Sequence, residues 1–357
     1  MQTESIELSF LSIFAFLTFF IFLLVNNYSN KLYNGILLDK DFLKPQAFHD
    51  EAISRSGGLA SIICLLIFFG INNILFSKVP YEYVFICSSL FLIGYLDDIK
   101  MKISPVARLI FMVTFLTTFI TFFSIQINNI DLIFLNSWLE NKFFSTIFIL
   151  LCLLFIVNGA NLIDGFNGLL TINLIIVNTV LLFINLDNNQ FEFSFFLMAQ
   201  IIILISFLLF NFPKAKMFLG DSGSYLFGSL VGLNAIITNN FNPQISSFFF
   251  CILLFYLFFE VFFSFLRKIY QNKSPVLPDK EHLHMLSFIK LSKKFEINKS
   301  NYINSVLINL TYSILVLPSL YFADNGLICK FWFISLVLIY LLIYFRLYHL
   351  TKKKIDI

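Results

Sequence analysis

Apolar residues along this chain fall in long runs separated by short polar breaks. The runs cover 7–25, 58–77, 81–96, 106–127, 143–157, 169–186, 192–210, 224–239, 245–266, 303–321 and 329–348. A helix that crosses a bilayer needs about 20 apolar residues, with a range of roughly 17–25. The pattern therefore predicts an all-α polytopic membrane protein with about 11 transmembrane helices. Two runs are weak: 143–157 is short, and 303–321 carries Pro318.

Charge tests the count. If the loops alternate sides, one face receives 26–57, 97–105, 158–168, 211–223, 267–302 and 349–357. With the residues bordering the spans, that face holds all of the 24 Lys and Arg residues except Lys78, Lys142 and Lys330. Lysine and arginine mark the cytoplasmic side, so the expected N-terminus is periplasmic and the C-terminus cytoplasmic. Deleting 143–157 would send Arg267, Lys268, Lys273, Lys280, Lys290, Lys293, Lys294 and Lys299 to the outside, which argues for keeping that run. Composition agrees: 59% of residues are hydrophobic, 13% are charged and the mean hydropathy is +0.86, whereas soluble domains carry about 25% charged residues. Glu4 and Glu7 stand where a secretory signal would place basic residues, and Asn26-Asn27-Tyr28 is no small-residue cleavage site. No soluble domain or repeat is discernible, so residues 1–357 are expected to form one transmembrane domain. The five cysteines lie in or beside apolar runs without a CxxC pair, as small buried hydrophobes.

Uncommon polar groups collect on the cytoplasmic side. A transporter would place ionisable groups near the midplane, but the runs are nearly free of charge apart from Glu260, close to a cytoplasmic end. Asp97 and Asp98 close the segment Gly94-Tyr95-Leu96-Asp97-Asp98. Adjacent carboxylates repel unless a cation or a phosphate-bound metal is nearby, although a solvated helix end with Lys100 reads equally well. In Asn158-Gly159-Ala160-Asn161-Leu162-Ile163-Asp164-Gly165-Phe166-Asn167-Gly168, polar groups recur every third residue. That spacing puts them on one face of a helical or 3₁₀ turn, and the segment has no basic residue to pair with Asp164. Asp221, in Phe218-Leu219-Gly220-Asp221-Ser222-Gly223-Ser224, is either a helix N-cap or part of a phosphate site with Lys214 and Lys216. His282 and His284, two apart in a basic loop with no cysteine, suit anionic phosphates or a sugar better than zinc, or else are simply solvated. Gly57-Gly58 allow close packing at the head of the second run, and Arg55 is placed to grip a phosphate or a lipid headgroup. Walker A, GxGxxG and HExxH motifs are absent.

Taken together, Arg55–Gly58, Gly94–Asp98, Asn158–Gly168, Phe218–Ser224 and Asp279–His284 resemble the motifs of the polyprenyl-phosphate N-acetylhexosamine-1-phosphate transferases, the glycosyltransferase family 4 group. The likeness runs from about residue 44 to residue 286. It implies that a lipid phosphate, undecaprenyl phosphate, attacks the β-phosphate of a UDP-N-acetylhexosamine at the cytoplasmic face of the inner membrane. The products would be a diphospholipid-linked sugar and UMP, with Mg²⁺, or Mn²⁺ in its place, as cofactor. By that resemblance Asp97, Asp98 and Asp164 are catalytic, Asp97 deprotonating or orienting the lipid phosphate. Asn161 and Asp221 hold the metal, and Arg55, Asn158, Asn167, Lys216, His282 and His284 bind substrate. The resemblance leaves room for a homodimer and gives no role to nucleic acid. Asn167 stands where many relatives have Asp, Met285 replaces a further His, and Glu260 replaces an Asp. The first loop lacks the Thr-Pro-Thr-Met-Gly-Gly type sequence of the muramoyl-pentapeptide branch, which favours the branch that uses simple UDP-N-acetylhexosamines and primes envelope glycans. A polytopic transporter of lipids or small molecules and an inactive lipid-sugar binder are the competing readings.

Overall fold

The computed structural model describes residues 2–29, 35–39, 52–77, 79–101, 103–128, 130–274 and 279–352. Lys44, Pro45, His49 and Asp50 of the first loop lie outside the described residues, as do Lys31, Lys40, Lys78, Lys102, Pro278, Lys353 and Lys354. The chain is a helical, multi-pass membrane protein. In order it forms α1 (Gln2–Tyr28), a short antiparallel pair β1 (Leu38–Asp39) and β2 (Ile53–Ser54), α2 (Gly57–Phe76), α3 (Tyr81–Asp98), α4 (Pro105–Phe122) and α5 (Ile133–Leu139). There follow α6 (Lys142–Ile163), α7 (Leu169–Asp187), α8 (Phe191–Asn211), α9 (Gly220–Phe241), α10 (Ser247–Leu253), α11 (Phe255–Tyr270), α12 (Leu283–Leu291), α13 (Ile297–Val316) with a 3₁₀ turn at Leu317–Phe322, and α14 (Gly326–Lys352).

Each apolar run falls on a helix or a helix pair, but the runs are not equivalent. Among the described residues, eight helices are long and apolar enough to cross a bilayer: α1, α2, α4, α6, α7, α8, α13 and α14. The helices α10 and α11 pass the same test only together, and they meet at 77° across a break, the form of a broken span or a re-entrant loop. The runs 81–96 and 224–239 form α3 and α9, which are too polar for the same test. The reason is position. The α9 helix is buried along nearly its whole length, against α2, α3, α6 and α7. A helix walled in by protein needs small and polar residues at its contacts and has no lipid-facing surface to grease. The short run 143–157 is the apolar part of a 22-residue helix, α6, which continues through Asn158 and Asn161. Pro318 sits in the first turn of the 3₁₀ segment that follows α13, where the regular α-helix ends.

Close backbone approach sets the core. A Cβ on Gly94 would lie 2.3 Å from the Asp221 carbonyl oxygen, so α3 and the head of α9 touch backbone to backbone there. A Cβ on Gly58 would meet Ser222 Oγ at 2.3 Å and Gly223 N at 2.4 Å, which seats the start of α2 on the same turn. Deeper in, amides act as interhelical glue. Tyr83 donates to Asn234 Oδ1, and Asn234 Nδ2 donates to Asn178 Oδ1 and Gln200 Oε1, tying α3, α7, α8 and α9. Asn185 donates to Thr238 Oγ1, pinning α7 to α9 further along.

Candidate active site

The head of α9 is the hub. Its first N–H groups have no intrahelical acceptor, and Asp98, the last residue of α3, supplies one: Asp98 Oδ1 accepts from Asp221 N at 3.1 Å and Oδ2 from Ser222 N at 3.0 Å. Asp98 is 1% exposed. Gly220, at φ +77°, makes the turn into α9 with its α-carbon against this carboxylate; a Cβ there would lie 2.6 Å from Asp98 Oδ2. Asp98 is thus a cap supplied from a neighbouring helix. Its partner in sequence, Asp97, keeps its side chain partly exposed, at 26%.

Asp97 Oδ2 and Asp221 Oδ2 each lie 3.0 Å from the same Arg108 nitrogen. Asn161, in the last turn of α6, donates to Asp221 Oδ1 at 3.1 Å and to Ser224 Oγ at 3.0 Å. Residues from α3, α4, α6 and α9 therefore converge on one cation-sized position, which the Arg108 guanidinium now bridges. Arg55 approaches from the first loop: it donates twice to Asp39, at 3.0 and 2.7 Å, and lies 3.8 Å from Asp98 Oδ1. The β1–β2 pair and the α2 head hold this loop on the fourth one, through Phe218 N to Ser54 O, Gly57 N to Phe218 O and Gly58 N to Leu219 O.

Asp164 follows α6 as its C-cap. No hydrogen bond or ion pair joins it to another described residue. Burial, followed by the negative charge of Asp221, pushes its carboxyl well above the ordinary range. Burial and then the Asp221 carboxylate likewise raise Asp97, to about 6, against the pull of Arg108 and Arg55. The cluster is short of positive charge.

The remaining candidates are placed otherwise. Asn158 bonds back to Leu154 O in its own helix, and Asn167 uses its amide on Pro213 O and its N–H on Asn301, bracing the third loop against the fourth. Lys216 is exposed, away from the carboxylates' hydrogen bonds. His282 and His284 are not solvated: they are 3% and 1% exposed. His282 lies between Glu260 (Nδ1 to Oε1, 3.2 Å) and Asp279 (Nε2 to Oδ1, 3.3 Å), and His284 stands edge-on to Phe166 of the third loop. Burial holds the His284 imidazole down to about 3, so it is neutral. Glu260 also accepts from Leu283 N and from Tyr340 of α14 at 2.7 Å. Arg267 pairs with Asp279 at 2.7 Å and donates to Tyr344 Oη at 2.8 Å and to Glu281 O. The last helix therefore clamps the histidine loop through two tyrosines, one turn apart.

Four of these residues were missed as site groups in the sequence reading. Arg108 figured only as a topological charge, although a cation in the first turn of an apolar run was a signal. Glu260 stood out as a lone intramembrane carboxylate without a partner, and Tyr340 and Tyr344, spaced i,i+4 on an aliphatic helix, gave a face that was not used.

Among the described residues no group of three His, Cys, Asp or Glu side chains forms a ready-made metal cage. Mg²⁺ does not require one. It usually takes one or two protein carboxylates and completes an octahedron with phosphate oxygens and water. Asp97 and Asp221 sharing one cation position, the Asn161 carboxamide beside them and the unpaired Asp164 nearby fit that demand.

Comparison with known proteins follows the same lines. The sequence model of glycosyl transferase family 4 matches residues 80–239, which carry Asp97, Arg108, Asn161, Asp164 and Asp221. The chain is 27% identical over 297 residues to the undecaprenyl-phosphate alpha-N-acetylglucosaminyl 1-phosphate transferase of Thermotoga maritima, covering 82% of each chain. It is 29% identical over 153 residues to the phospho-N-acetylmuramoyl-pentapeptide-transferase of Clostridium perfringens, covering 41% of this chain and 48% of that one. A third relative, the phospho-N-acetylmuramoyl-pentapeptide-transferase of Leuconostoc mesenteroides, is 41% identical over 80 residues, 22% of this chain and 25% of that one. With its loops gathered on the head of α9, the chain is similar to glycosyl transferase family 4 over residues 80–239 and to the Thermotoga maritima relative beyond that stretch.

Proposed function

We propose that this protein transfers an N-acetylhexosamine 1-phosphate from a UDP-sugar to a polyprenyl phosphate such as undecaprenyl phosphate, releasing UMP. The observation that carries the reading is the shared position of Asp97 and Asp221 on one cation, with Asn161 beside them. In-line phosphoryl transfer is mostly positioning and charge neutralisation, and a crowded, electron-rich cluster short of cations suits a metal-bound diphosphate.

In this account a lipid phosphate oxygen attacks the β-phosphorus, and the α–β bridging oxygen leaves with UMP. Asp97, open to the cleft, accepts the remaining proton of the lipid phosphate or orients it. Asp221 and Asn161 would hold Mg²⁺, with Asp164 adjacent. Bound there, the ion would neutralise diphosphate charge and the developing charge on the leaving UMP. Arg108 swings from bridging carboxylates to phosphate oxygens, a task its planar fork suits. Asp98 acts through the α9 head, fixing Asp221, and Arg55 adds positive potential from the first loop. His282 and His284 act by shaping the fifth loop against Phe166, with Nε2 of the neutral His284 as the group that could reach a sugar or phosphate. Asn167 serves by bracing the third loop on Pro213 of the fourth, and Lys216 and Asn158 are assigned no step in the transfer.

The positive-inside distribution supports eleven crossings, with the N-terminus periplasmic and the cleft facing the cytoplasm. The α3 and α9 helices count among the crossings because neighbouring helices shield them from lipid. The Thermotoga maritima relative is an alpha-N-acetylglucosaminyl 1-phosphate transferase, which supports UDP-N-acetylglucosamine as the first donor to try, and a role in priming envelope glycans would accord with that donor. The transporter reading calls for ionisable groups along a midplane path, whereas the buried amides of α7, α8 and α9 bond to one another.

The test is incubation of the purified protein with UDP-[³H]GlcNAc, Mg²⁺ and undecaprenyl phosphate. Labelled lipid and equimolar UMP are expected. If no UDP-N-acetylhexosamine labels lipid while an active relative does so in parallel, the proposal fails.

A further inference from the structure

The network around Glu260 leaves a groove on its outer side. Between α11, α12, α13 and α14 lies an open cavity of about 410 Å³. Its walls are apolar: Leu307 and Leu315 on α13, Leu336 and Ile343 on α14, and Tyr256 on α11. Two lysines, Lys290 and Lys294, border it beside the polar Ser287. Both lysines are exposed, and neither pairs with an acid among the described residues.

The cavity is separate from the carboxylate cluster. None of Asp97, Arg108, Asn161, Asp164 or Asp221 lines it. It also has the proportions of one leaflet. Its α14 wall runs from Leu336 to Leu347, which at about 1.5 Å per residue is about 16 Å, against about 15 Å for half of a 30 Å hydrocarbon core. The charged end lies with α12, on the same side as the histidine loop, and the greasy end reaches inward. Leu307 is 47% exposed and Ile343 37%, so protein alone leaves this concave surface uncovered. A groove between membrane helices, about one leaflet long along α14, mostly apolar and cationic only at its α12 end, matches an amphiphile with an anionic head.

We propose that this groove is a binding site for an anionic phospholipid of the bilayer. One acyl chain would lie along α13 and α14, and Lys290 and Lys294 would hold the phosphate. Because Leu283, Ser287 and Tyr340 line the groove, an occupied groove braces α12 and the clamp on the histidine loop. This inference does not depend on the transfer reaction.

The probe is dioleoylphosphatidylglycerol added to the purified full chain in detergent, with dioleoylphosphatidylcholine as the neutral control, and thermal unfolding is the readout. Phosphatidylglycerol should raise the unfolding midpoint saturably, and phosphatidylcholine should do so far less. The double variant Lys290→Gln/Lys294→Gln should bind phosphatidylglycerol about 30-fold more weakly, the effect expected of two lysines facing an anionic headgroup. Filling the groove with Leu336→Trp and Ile343→Trp should abolish the lipid-specific shift while the lysines remain. Should the tryptophan variant fail to fold, the lysine variant, altered only at exposed positions, still decides. Equal shifts from the two lipids, or a phosphatidylglycerol shift retained in the lysine variant, would overturn the proposal. Native mass spectrometry adds the acceptor: phosphatidylglycerol and undecaprenyl phosphate bound together support it, and one-for-one displacement by undecaprenyl phosphate overturns it.

Discussion

Gly94→Ala probes whether the α3–α9 contact sets the site. The new methyl would sit 2.3 Å from the Asp221 carbonyl oxygen and 2.4 Å from both Asp221 C and Ser222 N. All three are backbone atoms, so no side chain can rotate away. An ordinary contact begins near 3.4 Å, so the α9 head must retreat by about 1 Å. Overpacking of this kind costs about 1–3 kcal/mol, and an atomic displacement of about 1 Å at a reacting centre can cost about 100-fold in rate. The displaced segment carries Asp221 and receives the Asp98 cap. Turnover of lipid phosphate at saturating UDP-GlcNAc should fall about 100-fold, while the unfolding midpoint should drop only moderately. Gly70→Ala, inside α2 with nothing within 4 Å, is the control and should leave turnover unchanged and the midpoint no lower, since Ala favours a helix interior over Gly. Turnover in Gly94→Ala within twofold of the wild type, in protein shown to be folded, would refute the idea that this contact positions the cluster.

Four further outcomes follow. Asp97 is raised to about 6 and acts in its deprotonated form, so turnover should climb as pH rises through about 6 and level off above it; a slope that persists in Asp97→Asn would assign it to another group. Asp98→Ala should lower stability by about 2–3 kcal/mol, because two N–H groups at the α9 head lose their acceptor. Asp97→Ala should be nearly neutral in stability and yet inactive, and equal melting of the two variants would dissolve the distinction between cap and reactant. Arg108→Lys keeps the charge but loses the fork that reaches both carboxylates, so turnover at saturating substrate should fall about tenfold to 100-fold; an unchanged rate would remove Arg108 from the reaction. Tyr340→Phe removes a 2.7 Å donor to a buried carboxylate, which is worth about 1.5–3 kcal/mol; it should lower the unfolding midpoint and raise KM for the UDP-sugar more than it lowers kcat. A melting loss without a KM change would make the clamp merely structural.

The membrane character of the fold was legible because lipid-facing helices have no alternative to long apolar runs. Helix ends were not. The α6 helix was cut at residue 157 because Asn158 and Asn161 look like loop, yet the backbone stays helical to Ile163, since those amides point into protein rather than lipid. The runs 81–96 and 224–239 were legible as helices, but their burial among other helices, which accounts for the polarity of α3 and α9, was not. Within the site, motif residues were legible because carboxylates and carboxamides are rare in such a chain. What they touch was not. Sequence treated Asp97 and Asp98 as a pair, whereas the turn of the α3 terminus sends one into the cleft and the other onto the α9 head. It left open that the histidines are solvated, whereas Glu260 and Asp279 enclose His282, Phe166 packs on His284, and Tyr340 holds Glu260 from a helix more than fifty residues onward. Such long-range partners leave no trace in local spacing.

The central claim is that the bond broken lies between the two phosphates of the nucleotide sugar, and position-specific labelling tests it. UDP-GlcNAc carrying ³²P in the β-phosphate is incubated with the protein, Mg²⁺ and undecaprenyl phosphate, and the organic and aqueous phases are counted. The account predicts that the label enters the lipid phase together with the sugar while unlabelled UMP appears in the water. Label left in the aqueous phase as UDP while sugar reaches the lipid, or no lipid product at all beside an active relative, would contradict it.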